Sequence, residues 1–80
     1  MSSMGNLPVL SGKKLLKIFV KNGFRVLRKK GSHVFLESSD GKHGTVIPIH
    51  GNEDLGKGLI HSILHDLELT TDDLTHMLRK

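Results

Sequence analysis

The sequence is poor in residues that stabilise or mark several classes of small protein. Its 80 residues include no cysteine, no tryptophan and no tyrosine, and only three phenylalanines. The absence of cysteine excludes a disulfide framework and fits a reducing compartment. No apolar run reaches the length of a membrane span, and none resembles a signal peptide. We therefore expect a cytoplasmic protein that contacts no membrane.

The scarcity of aromatic residues also restricts how the chain could bind nucleic acid. Domains that read single strands stack successive bases on several aromatic side chains. Three phenylalanines supply too few rings for that mode of binding. Any RNA contact is therefore expected to run mainly through the sugar–phosphate backbone and the shape of the RNA.

Charge is distributed unevenly along the chain. Residues 1–52 carry a balance of +7 and residues 53–80 a balance of −3, which together give the net charge of +4. A basic front half on a domain of this size is typical of a protein that binds a polyanion. A solvated charged surface, common in small proteins, would explain the same balance.

Hydrophobic periodicity predicts a single α+β domain. We expect residues 1–8 to form a disordered leader and residues 9–80 to fold as one unit. Apolar residues three and four apart predict helices, and alternation predicts strands. The predicted elements are a helix over 12–22, strands over 24–30, 32–37 and 45–49, a helix over 58–68 and a short helix that begins at Thr70. This α-β-β-β-α(-α) order gives a three-stranded antiparallel sheet with helices packed on one face and the other face open.

Alternation within the strands predicts which side chains share a face. In the first strand Phe24 and Val26 share one face, and Leu27 takes the other. In the second strand Val34 faces the core and His33 faces the open side. The open face is therefore the expected binding surface.

The segment Arg28-Lys29-Lys30-Gly31-Ser32-His33 is the strongest candidate for chemistry. Three cations end one strand, and a hydroxyl and an imidazole begin the next. Cleavage of RNA without a metal needs a group that removes the 2′-OH proton, and positive charge against the developing phosphorane. Histidine suits the first task because its unperturbed pKa, about 6.5, lies close to cellular pH. From spacing alone, a hairpin with solvated cations and a structural histidine remains the simpler interpretation.

The loop before the second predicted helix resembles a nucleotide-binding P-loop without its essential groups. In Gly51-x4-Gly56-Lys57-Gly58, the last glycine replaces the Ser or Thr whose hydroxyl would hold magnesium. Glu53 and Asp54 also place negative charge where phosphates would sit. A flexible entry to the helix explains this segment better.

Two histidines on the second predicted helix have the spacing of a metal pair. His61 and His65 are four residues apart, but no third ligand is evident beyond a speculative His50. We therefore predict no metal site and no cofactor.

Five short segments occur along the chain in a specific order. They are Gly23-Phe24, Lys29-Lys30-Gly31-Ser32-His33, Thr45-Val46-Ile47-Pro48-Ile49-His50-Gly51-Asn52, Gly58 and Ser62-Ile63-Leu64. Together they resemble the HicA family of mRNA interferase toxins, over about residues 9–72. The resemblance implies a double-stranded-RNA-binding-like fold for a single toxin domain over 9–80. It also implies cleavage of mRNA, inhibition by a HicB antitoxin, and a catalytic role for His33.

The sequence thus leads to a specific functional hypothesis. The protein is expected to be a metal-independent endoribonuclease toxin that uses His33 as general acid or base. Its expected partners are mRNA and a HicB-like antitoxin, and no DNA contact of its own is expected. The residues expected to hold the phosphate backbone are Arg28, Lys29, Lys30 and Ser32.

Other interpretations of the same residues stay open. His50 could contact RNA or act as a second proton-transfer group, but a role in fixing the loop after the third strand is favoured. The domain could also bind RNA on the same face without cleaving it. A third interpretation is a basic domain that binds only a protein.

Overall fold

A computed structural model describes residues 7–79. Its elements, in chain order, are α1 (Gly12–Lys21), β1 (Arg25–Lys30), β2 (His33–Glu37), β3 (Gly44–Pro48), α2 (Lys57–Asp66) and α3 (Thr71–Leu78). The three strands form one antiparallel sheet in the order β1-β2-β3. The predicted α+β fold, with its open three-stranded sheet, is confirmed.

Helix α1 begins and ends where its sequence signals lie. The Ser11 side chain accepts a hydrogen bond of 3.1 Å from the Lys14 amide, which satisfies one of the free N–H groups of the first turn. Leu15 and Phe19 are fully buried on the inner side of the helix. The helix stops before Gly23, whose φ of 94° suits a residue without a Cβ.

Strands β2 and β3 supply the inner layer of the sheet. Val34 and Leu36 of β2 and Thr45 and Ile47 of β3 are buried, whereas alternate residues of both strands are more exposed. All six residues of β1 are exposed, so the helices do not cover that strand. The core therefore lies between the helices and the two strands farther along the chain.

The core joins the sheet to all three helices. Its buried apolar side chains are Leu7, Leu10, Leu15, Phe19, Leu36, Ile47, Ile60, Ile63, Leu64, Leu67 and Leu74. Leu7, near the end of the expected leader, is only 6% exposed and belongs to this core. Residues 1–6 of that leader, and Lys80, lie outside the described residues.

Polar groups fix the last two helices. The Thr45 hydroxyl donates a hydrogen bond of 2.8 Å to the Asp66 carboxylate and ties β3 to the end of α2. Thr70 and Asp73 bond reciprocally to each other's backbone amides, which forms the predicted capping box of α3. Over residues 7–79, no helix has the length and apolar character needed to cross a membrane.

One end of the sheet gathers segments that are distant in sequence. The Ile49 amide donates to the Ser32 carbonyl at 2.6 Å, and the Leu55 amide donates to the Leu10 carbonyl at 2.7 Å. A Cβ on Gly12 would overlap the Pro48 carbonyl oxygen, so α1 begins in close contact with the end of β3. The β1–β2 turn, the loop after β3 and the start of α1 therefore lie at the same end.

Candidate nucleic-acid interface

The candidate site is built on the two-residue turn that joins β1 to β2. Gly31 has a φ of +59°, and Ser32 has no positive φ. Positive φ at the first central residue alone is the pattern of a type II′ hairpin turn, in which glycine is favoured. The turn makes Lys30 and His33 the last residue pair of the β1–β2 ladder.

His33 occupies the open face, as the alternation predicted. It is exposed, whereas the next residue, Val34, is only 3% exposed among the core side chains. In the pairing of β2 with β3, His33 lies opposite Pro48. The imidazole is thus accessible to a ligand that lies across the open face near the turn.

A β-bulge in β1 decides which cations share the face of His33. Val26 pairs with Leu36 and Arg28 pairs with Phe35, so Leu27 is an extra residue without a partner. With strict alternation, Arg28 would lie on the same face as Val26, which is the face opposite to that of His33. The extra residue reverses the alternation and brings Arg28 to the open face.

Of the three predicted cations, two accompany His33 and one does not. Residues directly opposite in an antiparallel pair share a face, so Arg28 and Lys30 lie on the open face with their partners Phe35 and His33. Lys29 is opposite Val34 and therefore leaves the sheet on the other side. It is exposed there because the helices do not cover β1.

Arg28 is held in place by an aromatic ring. Its Cζ lies 4.5 Å from the centroid of the Phe35 ring, within the range of a cation–π contact. Stacking on the ring leaves the edge donors of a guanidinium available to an oxyanion. Farther from the turn, Arg25 is paired with Glu37 at 2.8 Å. Positive charge on this face is therefore concentrated near His33.

Ser32 and His50 are the two other predicted site residues. Ser32 is half-buried in the turn, and its carbonyl accepts a hydrogen bond from the amide of Ile49. His50 follows Ile49 in the sequence and is exposed. Main-chain bonds hold its loop, since the Glu53 amide donates to the His50 carbonyl at 3.0 Å. The two predicted histidines thus lie at the same end of the sheet.

The two remaining sequence patterns lie in α2 and in the loop before it. His61 and His65 are exposed on α2, and in the part of the chain from 7 to 79 no three His, Asp or Glu side chains are grouped as metal ligands would be. Asp54 of the P-loop-like segment forms an isolated bridge with Ser11. That segment is a connection between β3 and α2.

The fold and this surface define a small α+β domain with a basic, open sheet face and an accessible histidine. A family model described as the HicA toxin of bacterial toxin–antitoxin systems matches residues 12–69 of the 80. The chain belongs to this family and is a toxin of a toxin–antitoxin system, which implies an antitoxin partner. A comparison with curated proteins gives no significant match.

Proposed function

We propose that this toxin is a metal-independent endoribonuclease and that His33 is its catalytic acid–base group. As base, the imidazole takes the proton of a ribose 2′-OH, and the 2′-oxygen attacks the adjacent phosphorus. The bond from phosphorus to the 5′-oxygen breaks, and the imidazolium passes its proton to that oxygen as it leaves, which restores the neutral base. The products are a 2′,3′-cyclic phosphate and a free 5′-OH. Proton transfer of this kind typically contributes about 10²–10⁴-fold to the rate.

The observation that carries this proposal is the shared face of His33, Lys30 and Arg28. A phosphorane gains negative charge in the transition state, and fixed cations beside the base stabilise it more than the ground state. Lys30 is directly opposite His33, and Phe35 fixes Arg28 two pairs farther along. Ser32 offers a hydroxyl in the turn itself. Lys29 points away and is assigned a weaker, outer role.

The same face also supports the proposal of a HicB-like antitoxin that blocks it. Leu27 and Val46 are 57% and 36% exposed, and with Phe35 and Leu59 they line a groove of about 420 Å³ that is bounded by the three strands and α2. Cations beside exposed apolar groups favour an acidic partner with an apolar core. Stable pairs bury about 1,200–2,000 Å² in total. A contact of that size centred on the groove would extend over His33.

Cleavage of a mixed mRNA pool, with and without EDTA, tests the proposal. Fragments that form equally well under chelation and end in a cyclic phosphate are the expected result. Saturable binding with intact RNA would instead indicate a non-catalytic RNA-binding module. No binding at low salt would leave a domain that contacts only protein.

A further inference from the structure

A recess beside α1 contains polar and charged side chains that the proposed cleavage does not use. Its volume is about 440 Å³, and its lining residues are Ser11, Lys13, Lys14, Lys17, Asn52 and Asp54. The three lysines are exposed on one side of α1, while Asn52 and Asp54 come from the loop after β3. The bridge between Ser11 and Asp54 holds the two segments together.

The recess lies at the same end of the sheet as His33. The closing residues of the three strands form one row, Lys30–His33–Pro48. Neighbouring strands are about 4.8 Å apart, so this row spans about 10 Å from the first Cα to the last. Gly12 continues it, because its backbone contacts the Pro48 carbonyl. His33 is thus between the cations of β1 and those of α1.

The mixture of groups in the recess identifies the class of ligand. Three ammonium groups attract a phosphate, as lysines do in most nucleic-acid contacts. A carboxylate would repel a second phosphate, but it accepts a hydrogen bond from a hydroxyl donor. The Asn52 amide can donate and accept. A ribose with its phosphate satisfies both kinds of group, because the 2′-OH supplies the donor that deoxyribose lacks.

We propose that this recess binds one ribose–phosphate unit of the RNA strand, to one side of the bond that is cut. The lysines hold its phosphate, and the side chains of Asp54 and Asn52 accept a hydrogen bond from its 2′-OH. The strand crosses the open face from Lys30 over His33 and leaves past Pro48 into the recess. Asp54 thereby favours RNA over DNA. The inference rests on the proposed function for RNA as the ligand and for which bond is cut, but it does not require that His33 be catalytic.

Binding of short single-stranded oligonucleotides to the full chain tests the lysines. A His33→Ala background is used, and gels verify that the RNA stays intact. Each lost phosphate contact flattens the log–log salt dependence by about 0.7 on single strands. Replacing Lys13, Lys14 and Lys17 with Ala removes the contact with one phosphate and should therefore flatten it by about 0.7 units. Lys42→Ala, in the β2–β3 loop, is the control and should leave the slope unchanged.

The carboxylate is tested by the ratio of affinities for RNA and for DNA of the same sequence. A hydrogen bond to a charged group contributes enough for a change of about tenfold. Asp54→Ala should reduce the preference for RNA by about that factor and tighten the binding of DNA. A set of RNA oligonucleotides is then used, each with one 2′-deoxy nucleotide at a different position. Binding should be weaker for only one of these positions. That sensitivity should disappear in Asp54→Ala.

Three outcomes would overturn the proposal. They are an unchanged salt slope in the triple variant, an unchanged RNA-to-DNA ratio in Asp54→Ala, and no binding of RNA at all. If the triple variant fails a circular-dichroism check of folding, Lys17→Ala alone is used, and it should flatten the slope by up to about 0.7. Cleavage by the wild-type chain is measured separately. Absence of cleavage with both binding effects present would refute the proposed function and leave the recess assignment intact.

Discussion

Lys30 and His33 face each other in the last pair of the β1–β2 ladder, so both side chains leave the sheet on its open face. The neighbouring pair, Lys29 and Val34, leaves on the opposite face. Two adjacent lysines of one strand are therefore assigned different roles. This difference allows a comparison in which charge and sequence position are almost matched.

Lys30→Ala should weaken RNA binding and flatten its salt dependence by about 0.7 log units per log unit of salt, the amount expected for one phosphate contact. Lys29→Ala removes the same charge from the other face and should change the slope by much less. Titrations at several salt concentrations measure both. Equal losses would mean that the RNA wraps around β1 instead of lying across the open face.

His33→Ala should lose about 10²–10⁴-fold in cleavage rate, equivalent to about 3–5 kcal/mol of barrier. The fold should survive, because the His33 side chain is exposed and makes no part of the core, whereas the next residue, Val34, is buried. RNA binding should also survive, because the cations remain. The rate is measured per folded molecule, with folding monitored by circular dichroism.

Val34→Ala is the control for that measurement. It removes two buried carbon atoms beside the candidate base and should destabilise the domain by about 2 kcal/mol. Its cleavage rate per folded molecule should stay near that of the wild type. A well-folded His33→Ala protein that still cleaves rapidly would sink the catalytic assignment, and His50 would be tested next.

Binding of a HicB-like antitoxin should protect His33 from modification by diethylpyrocarbonate. An interface of standard size centred on the groove at Leu27 and Val46 would cover the nearby imidazole. His76, exposed on α3 and not among the residues that line the groove, provides an internal reference that should still be modified. Mass spectrometry of peptides reports both sites. Protection of His76 with a fully labelled His33 would place the interface elsewhere.

Two glycines near helix starts should respond oppositely to alanine. Gly12→Ala puts a Cβ into the Pro48 carbonyl and should cost about 1–3 kcal/mol of stability. Gly58, the second residue of α2, has open space around its Cβ position and no positive φ. Gly58→Ala should therefore stabilise the domain by about 0.4–1 kcal/mol. Thermal unfolding distinguishes the two, and a stable Gly12→Ala protein would contradict the close contact between α1 and β3.

The β2–β3 loop should show a carboxyl that titrates at unusually low pH. Hydrogen bonds from the Ser38 hydroxyl at 2.6 Å and the Lys42 amide at 2.9 Å hold the pKa of Asp40 below its usual 3.8. A lowered pKa in the folded state means that the contribution to stability is present above pH 3.8 and is lost as the pH falls through the folded value. NMR titration measures this midpoint. Ser38→Ala should raise it, and an unchanged midpoint would contradict the role of the hydroxyl.

The sequence predicted most of the fold because local signals agree with the packing. The Ser11 and Thr70 caps, the apolar spacing of the helices, and the alternation of Val34 and His33 each needed only neighbouring residues. The predicted order and the open sheet are confirmed. The catalytic role of His33 was implied by family resemblance and stays a proposal.

What the sequence did not predict depends on contacts between distant segments. The bulge at Leu27 is invisible in a strand whose residues are all exposed, because no buried face marks a break in the alternation. The bulge decides which of the two adjacent residues Lys29 and Lys30 lies on the open face with His33. The recess beside α1 needs the bridge between Ser11 and Asp54, which are far apart in the chain. No periodicity within α1 indicates that Asn52 lies next to its lysines.

The place of the core in the chain affects when this toxin can become active during its own synthesis. Arg28 to His33 are made early, but buried side chains from Ile60 to Leu74 are needed to complete the core. A domain this small has little stability to spare, so a nascent chain without those residues cannot hold the sheet. The ribosome that makes the toxin has therefore translated α2 and most of α3 before a folded site exists. A product interrupted before α2 should be harmless, even though it contains every residue of the proposed catalytic cluster.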